Sequence, residues 1–260
     1  MRKLIAFDCR GETLLGTLDP ADGATGLLIV SGGNEIRVGA HRGMALLAAR
    51  LAAADVPVFR FDRRGIGDST GENGGYASSG PDIAAAAAAF RAHAPGVRHI
   101  IGFGNCDAAT ALVLFGREAG IERPILSNPW VIEPTDDLPP AAAIRARYAE
   151  RLRDPREWRR LLTGGVDLRK LASGLRKIFV RRPEQPDALA DRFFRTMPRD
   201  ATVVLAERDA TAQAFADEAA TRRWPGKIVT IDTASHSYAR EGDADALFEA
   251  IMEILSARSP

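Results

Sequence analysis

The sequence is poor in cysteine, with two residues, Cys9 and Cys106, in 260. So few thiols make no disulfide framework and are expected of a chain kept in a reducing cytoplasm. Histidine is scarce too: His41, His93, His99 and His236 are scattered without the spacing of a metal site, so no metal is expected. No apolar run approaches the roughly 20 residues that cross a bilayer, so no membrane insertion is expected. There is no Gly-x4-Gly-Lys-Ser/Thr phosphate loop and no dinucleotide fingerprint, and hence no cofactor is expected. A formal net charge of +1 gives no overall case for nucleic-acid binding. The opening Met1-Arg-Lys-Leu-Ile-Ala-Phe-Asp is too short and too soon polar for a leader, and reads as a first strand.

Strand and helix patterns alternate. Residues 4–8 and 13–17 read as a hairpin, and 26–31 (Gly-Leu-Leu-Ile-Val-Ser) as a strand buried on both faces. Further strands are expected at 56–61, 97–103, 124–127, 202–206 and 227–231, with helices at 40–54, 81–94, 107–119 and 243–257. This order predicts an α/β fold, a mostly parallel sheet with helices on both faces. Residues 130–198 break the rhythm. They read as helices at 139–154, 155–162, 168–178 and 186–197, a helical cap inserted into a core of 1–129 and 199–260. Between 140 and 195 there are thirteen arginines and two lysines against seven acids, a net of +8 that leaves the rest of the chain acidic. Such a segment is either a solvated helical surface or a basic cap that draws in an anionic substrate or carrier.

The chemistry centres on Arg98-His-Ile-Ile-Gly-Phe-Gly-Asn-Cys-Asp-Ala-Ala-Thr-Ala-Leu. It reads as strand, sharp turn and helix, with Cys106 on the turn between Gly104 and Ala108. A strained turn of this kind needs small neighbours where backbone passes close. It also sets a thiolate at a helix N-terminus, where partial positive charge favours an anion. Alone, the motif is weak, because cysteine is among the most buried residue types. A nucleophile needs a base, and His236 is the one histidine after Cys106, in a loop beyond the strand at 227–231. The base needs an acid to orient it. Asp209 follows the strand at 202–206 and is the expected orienter, with Glu207 its rival and a helix N-cap its plain alternative role. An oxyanion would be held by the N–H of Asp107 and by one from the loop Ser31-Gly-Gly-Asn-Glu, with Gly33 the expected donor and Asn34 the other candidate, also facing substrate. The turn Asp62-Arg-Arg-Gly-Ile-Gly-Asp-Ser reads as structural, with Asp62 and Arg64 bracing the loops. His41 and Arg42 read as loop braces, His93 and His99 as surface residues, and Cys9 as inert.

With these landmarks in order, the chain resembles an α/β-hydrolase over nearly its whole length. More narrowly, Ser31-Gly-Gly-Asn-Glu-Ile-Arg-Val-Gly-Ala-His-Arg-Gly and Gly104-Asn-Cys-Asp-Ala-Ala resemble the hydrolase 1 group associated with the exosortase A system. That resemblance implies a cysteine nucleophile at Cys106 and a setting in exopolysaccharide and protein-sorting gene clusters. Ser31 stands where many hydrolases have histidine, and Ala108 ends the elbow in place of glycine. The expected activity is hydrolysis of an ester or thioester of a small acyl substrate through an acyl-enzyme. The rival readings are acyl transfer to a saccharide or other acceptor, lactone hydrolysis of the dienelactone type, and a binding protein on the same fold.

Overall fold

Alternation of side chains decides how each strand is buried. In Thr25–Val30 (β3), Leu28 and Val30 pack into one hydrophobic cluster while Leu27 and Ile29 pack into another on the opposite face. The computed structural model describes residues 1–132 and 188–257. The other strands are Lys3–Cys9 (β1), Glu12–Asp19 (β2), Val58–Phe61 (β4), His99–Asn105 (β5), Arg123–Ser127 (β6), Thr202–Ala206 (β7) and Lys227–Ile231 (β8). They form one sheet in the order β1-β2-β4-β3-β5-β6-β7-β8. The β1–β2 and β2–β4 pairs are antiparallel and every other pair is parallel.

Helices Gly43–Ala53 (α1) and Asp243–Ser256 (α6) cover the face of Leu27 and Ile29 through Leu47, Leu51, Leu247 and Ile251. Helices Gly80–His93 (α2), Asp107–Phe115 (α3), Ala188–Thr196 (α4) and Ala210–Thr221 (α5) pack on the other through Phe90, Leu112, Phe193 and Phe215. This is the α/β-hydrolase fold. Strand order reverses at β3, which has β4 on one side and β5 on the other. The loops leaving β3 and β5 therefore meet at the carboxyl edge, the crevice where open α/β sheets place their sites.

Boundaries differ from the sequence reading in two places that matter. Strand β5 runs on to Asn105, because Asn105 still pairs with Ser127 of β6. Helix α3 stops at Phe115 rather than 119, where the chain turns so that Ile121 packs into the core. The expected helices at 139–154, 155–162 and 168–178, most of the expected cap and most of its basic charge lie outside the described residues. The helix expected at 186–197 is present as α4, which packs on the sheet through Phe193.

Candidate active site

Cys106 sits between β5 and α3 with φ 62° and ψ −127°, a conformation that costs a non-glycine residue about 1–3 kcal/mol. Neighbouring backbone holds it there. Its N–H donates to the Ser127 carbonyl at 3.0 Å, and its carbonyl accepts from the Ala109 and Trp130 amides at 3.1 and 3.2 Å. The turn admits only small residues. A Cβ at Gly104 would lie 2.7 Å from the Ala108 carbonyl carbon, and one at Gly32 would lie 2.5 Å from the Asn105 carbonyl oxygen. Gly32 thus lets the loop after β3 rest directly on the elbow. Cys106 itself stays partly exposed.

His236 lies in the loop after β8, held between an acid and the thiol. Its Nδ1 donates to Asp209 Oδ2 at 3.0 Å, and the Cys106 side chain is near enough to act on the charge of the ring. Burial opposes a charge on the imidazole. The Asp209 carboxylate, through its hydrogen bond and charge, and the neighbouring Cys106 outweigh it and push the pKa up from 6.5 to about 10. Burial likewise opposes charge on Asp209. The His236 contact and the backbone amides of Ala212 and Thr211 outweigh it and hold the carboxyl below its usual range. Those same amides donate to Asp209 Oδ2 at 3.0 Å each, so Asp209 is at once the N-cap of α5 and the partner of His236. The two roles weighed as alternatives coexist on one oxygen. Glu207 is exposed, and among the described residues the ion pair of His236 is with Asp209 and not with Glu207.

The loop after β3 is tied to the elbow by charge. The Gly33 amide donates to Asp107 Oδ1 at 2.6 Å, and the Gly33 carbonyl accepts from Arg63 Nη2 at 2.5 Å. Arg63 is buried, bonds Ser79 Oγ at 2.9 Å and lies 3.5 Å from Asp107 Oδ2. The Asp107 N–H heads α3 and meets no acceptor among the described residues. Asn34 is exposed and accepts from Asn73 Nδ2 at 2.9 Å. Asp62 braces the loop by accepting from the Arg37 amide at 2.5 Å and from the Arg37 guanidinium, while Arg64 pairs with Asp82 at 2.5 Å.

The remaining candidates stand apart. His99 is bound to Glu122 at the amino end of β5, and His93 is exposed at the end of α2. His41 and Arg42 are exposed in left-handed conformations just before α1. Cys9 is buried. Burial, with its bond to Asp82 and that carboxylate's charge, pushes its thiol up to about 11. Sequence reasoning missed Arg63, Asn105 and Asn128. The signals were present in the second arginine of the Asp62 turn, in the residue before the nucleophile and in the Ser-Asn-Pro that ends β6. None has a chemistry that singles it out before its neighbours are known.

Residues 27–250 match the alpha/beta hydrolase family. Among solved structures the chain is similar to the Pyrococcus furiosus esterase Pf2001, with a TM-score of 0.64 and 14% identity over 98% of this chain and 90% of that one. It is similar to the hypothetical protein PA1622 of Pseudomonas aeruginosa, with a TM-score of 0.63 and 18% identity over 98% and 100% of the two chains. It is also similar to XC6422 of Xanthomonas campestris, an α/β serine hydrolase without a lid, with a TM-score of 0.60 and 15% identity over 100% and 97%. At these identities the likeness is one of fold. No curated protein matches the sequence.

Proposed function

The chain belongs to the alpha/beta hydrolase family, and from that premise we propose that it is a cysteine hydrolase acting on an ester or thioester through an acyl-enzyme. The observation that carries this reading is His236 bonded to the Asp209 carboxylate and set beside Cys106.

The steps follow from the charges. With its pKa pushed up to about 10, His236 is an imidazolium at neutral pH and serves first as an acid. The Cys106 thiolate attacks the acyl carbonyl, a C–S bond forms, and the π pair moves to oxygen. The Asp107 N–H and a donor of the loop after β3 receive that oxyanion. The oxyanion then collapses, the bond to the leaving group breaks, and the acylated Cys106 no longer supports the charge of the imidazolium. Its proton is then released to the departing thiolate or alkoxide. Neutral His236 takes a proton from water, the hydroxide adds to the acyl carbon, the C–S bond breaks, and the thiolate–imidazolium pair returns. Asp209 keeps one ring nitrogen occupied throughout. Thioesters and activated esters suit a sulfur nucleophile, because their leaving groups are readily expelled.

The segment between β6 and β7 leaves the sheet at the carboxyl edge beside the elbow, which supports a cap over residues 130–198. Its net charge of +8 between 140 and 195 supports an acyl group presented on an anionic carrier. Two free thiols suit a cytoplasmic setting. The likeness of the Gly104-Asn-Cys-Asp-Ala-Ala motif supports a place in an exopolysaccharide or exosortase-linked pathway.

Intact-protein mass spectrometry with a panel of acyl thioesters and p-nitrophenyl esters tests the reading, with Cys106→Ala alongside. An adduct that needs Cys106 and decays in water is expected. An adduct stable until a sugar acceptor is added would make it a transferase. No adduct, with an unreactive Cys106, would leave a binding protein.

A further inference from the structure

We propose that Asn105 and Asn128 form an amide clamp that positions His236 through its main chain, a role that rests on the reaction proposed above. The His236 carbonyl accepts from Asn105 Nδ2 at 3.1 Å and from Asn128 Nδ2 at 3.3 Å. Asn128 Nδ2 also donates to Asn105 Oδ1 at 2.9 Å, so the two amides and the carbonyl close a ring of hydrogen bonds. Main-chain groups set the amide orientations. The His236 carbonyl only accepts, and the Ala206 N–H, which donates to Asn128 Oδ1 at 2.8 Å, only donates. Turning over the Asn105 amide breaks two of these bonds, and turning over that of Asn128 breaks three.

The site needs such a clamp. His236 follows β8, a strand with four of its five residues at least partly exposed, and among the described residues no strand pairs beyond it to fix the loop. Asp209 reaches only the ring and governs its rotation. The clamp governs where the residue itself stands. It does so from the strand that carries the nucleophile, since Asn105 immediately precedes Cys106. Asn128 is fully buried at φ 40°, a left-handed conformation that asparagine tolerates better than most residues. Tyr238, two residues past His236, secures the same loop from below, its hydroxyl 2.8 Å from Ser127 Oγ and 3.5 Å from Asn128 Oδ1. Asn105 at the end of β5 and Asn128 just past β6 thus converge on one carbonyl of the histidine loop, with Ala206 of β7 holding Asn128 in place.

The test is a double-mutant cycle read by the rate of Cys106 alkylation with iodoacetamide, together with kcat and KM on a p-nitrophenyl ester. Asn105→Ala should slow alkylation and lower kcat by about ten- to a hundredfold, with KM unchanged. Asn105→Leu keeps the shape without the donor and should lose as much. In a His236→Ala background, Asn105→Ala should have no further effect, because the clamp acts through His236. A loss from Asn105→Ala that persists without His236, or that Asn105→Leu restores, makes the contact a packing feature and overturns the clamp. If Asn105→Ala is silent while His236→Ala slows alkylation, the clamp alone falls. If His236→Ala is itself silent, the triad reading falls and takes the clamp with it. Should Asn105→Ala fail to fold, Asn105→Leu carries the same comparisons.

Discussion

The Gly33 amide donates to the carboxylate of Asp107, the residue after Cys106, at 2.6 Å. The loop expected to receive an oxyanion is therefore already bonded to an anion. Arg63, itself buried, holds the Gly33 carbonyl and approaches the same carboxylate, so it balances the charge of that arrangement. A substrate carbonyl that uses the Gly33 amide must displace Asp107 from it.

Asp107→Asn keeps an acceptor but removes the charge that competes with a developing oxyanion. A charged acceptor holds an amide more strongly than a neutral one by about 1 kcal/mol, so the acylation burst should rise roughly fivefold. Stopped-flow release of p-nitrophenol checks it. A slower burst would mean that the carboxylate organises the loop rather than competing for it.

Asp209 serves His236 and the N-terminus of α5 with the same oxygen, and two substitutions separate the roles. Asp209→Asn keeps a capping oxygen but removes the negative charge, and should lower kcat/KM by about a thousandfold or more while losing the stability of the pairing with His236. Asp209→Ala should lose comparable activity and about 1 kcal/mol of stability as well. Equal Tm for the two variants would remove the capping role.

The His236 pKa of about 10 lies above the ordinary 6.5, so the folded chain keeps a proton that the unfolded chain releases. The stability this gives is complete below pH 6.5 and is lost as pH rises through about 10. Asp209 has the opposite sign. Its contribution is present above the ordinary 3.8 and is lost as pH falls through its depressed folded value. The Tm of the wild type minus that of His236→Ala should shrink between pH about 6 and 10. A difference that grows with pH would contradict the pairing.

The two thiols should separate cleanly. With the Cys9 pKa pushed up to about 11 by burial and Asp82, limited iodoacetamide near pH 8 should label Cys106 alone, as peptide mapping would show. Labelling of Cys9 at a comparable rate would mean that its pocket opens in solution.

Charge reversal in the basic segment tests the anionic carrier. Arg159→Glu with Arg160→Glu should raise KM for a phosphate-bearing acyl carrier while leaving KM for a neutral p-nitrophenyl ester in place. The same KM for both substrates in variant and wild type would return the segment to a solvated surface.

Much of the architecture was legible in the residues. The unbroken apolar run of β3 announces a strand buried on both faces, and its side chains do divide between two clusters. Glycine two positions before Cys106 announces a turn that excludes side chains, and a Cβ there would strike Ala108. The end of α3 was not legible, because helical propensity continues past Phe115 while packing of Ile121 turns the chain. Nor was the choice between Gly33 and Asn34, since that depends on where the Asp107 side chain lies.

The sequence by itself determined the order and direction of the elements, the strained seat of Cys106, and the arrival of His236 and an acid at one edge of the sheet. These follow from local periodicity and from small residues at sharp turns, which act between near neighbours in the chain. Tertiary structure alone decided that Asp209 caps α5 and holds His236 with one oxygen, that Asp107 takes the Gly33 amide, and that Asn105 and Asn128 share the His236 carbonyl. Apart from the local cap, each joins groups from separate elements, up to 131 residues apart in the case of Asn105 and His236. Hydrogen bonds of this kind depend on positions to within about half an ångström, which composition and spacing do not encode.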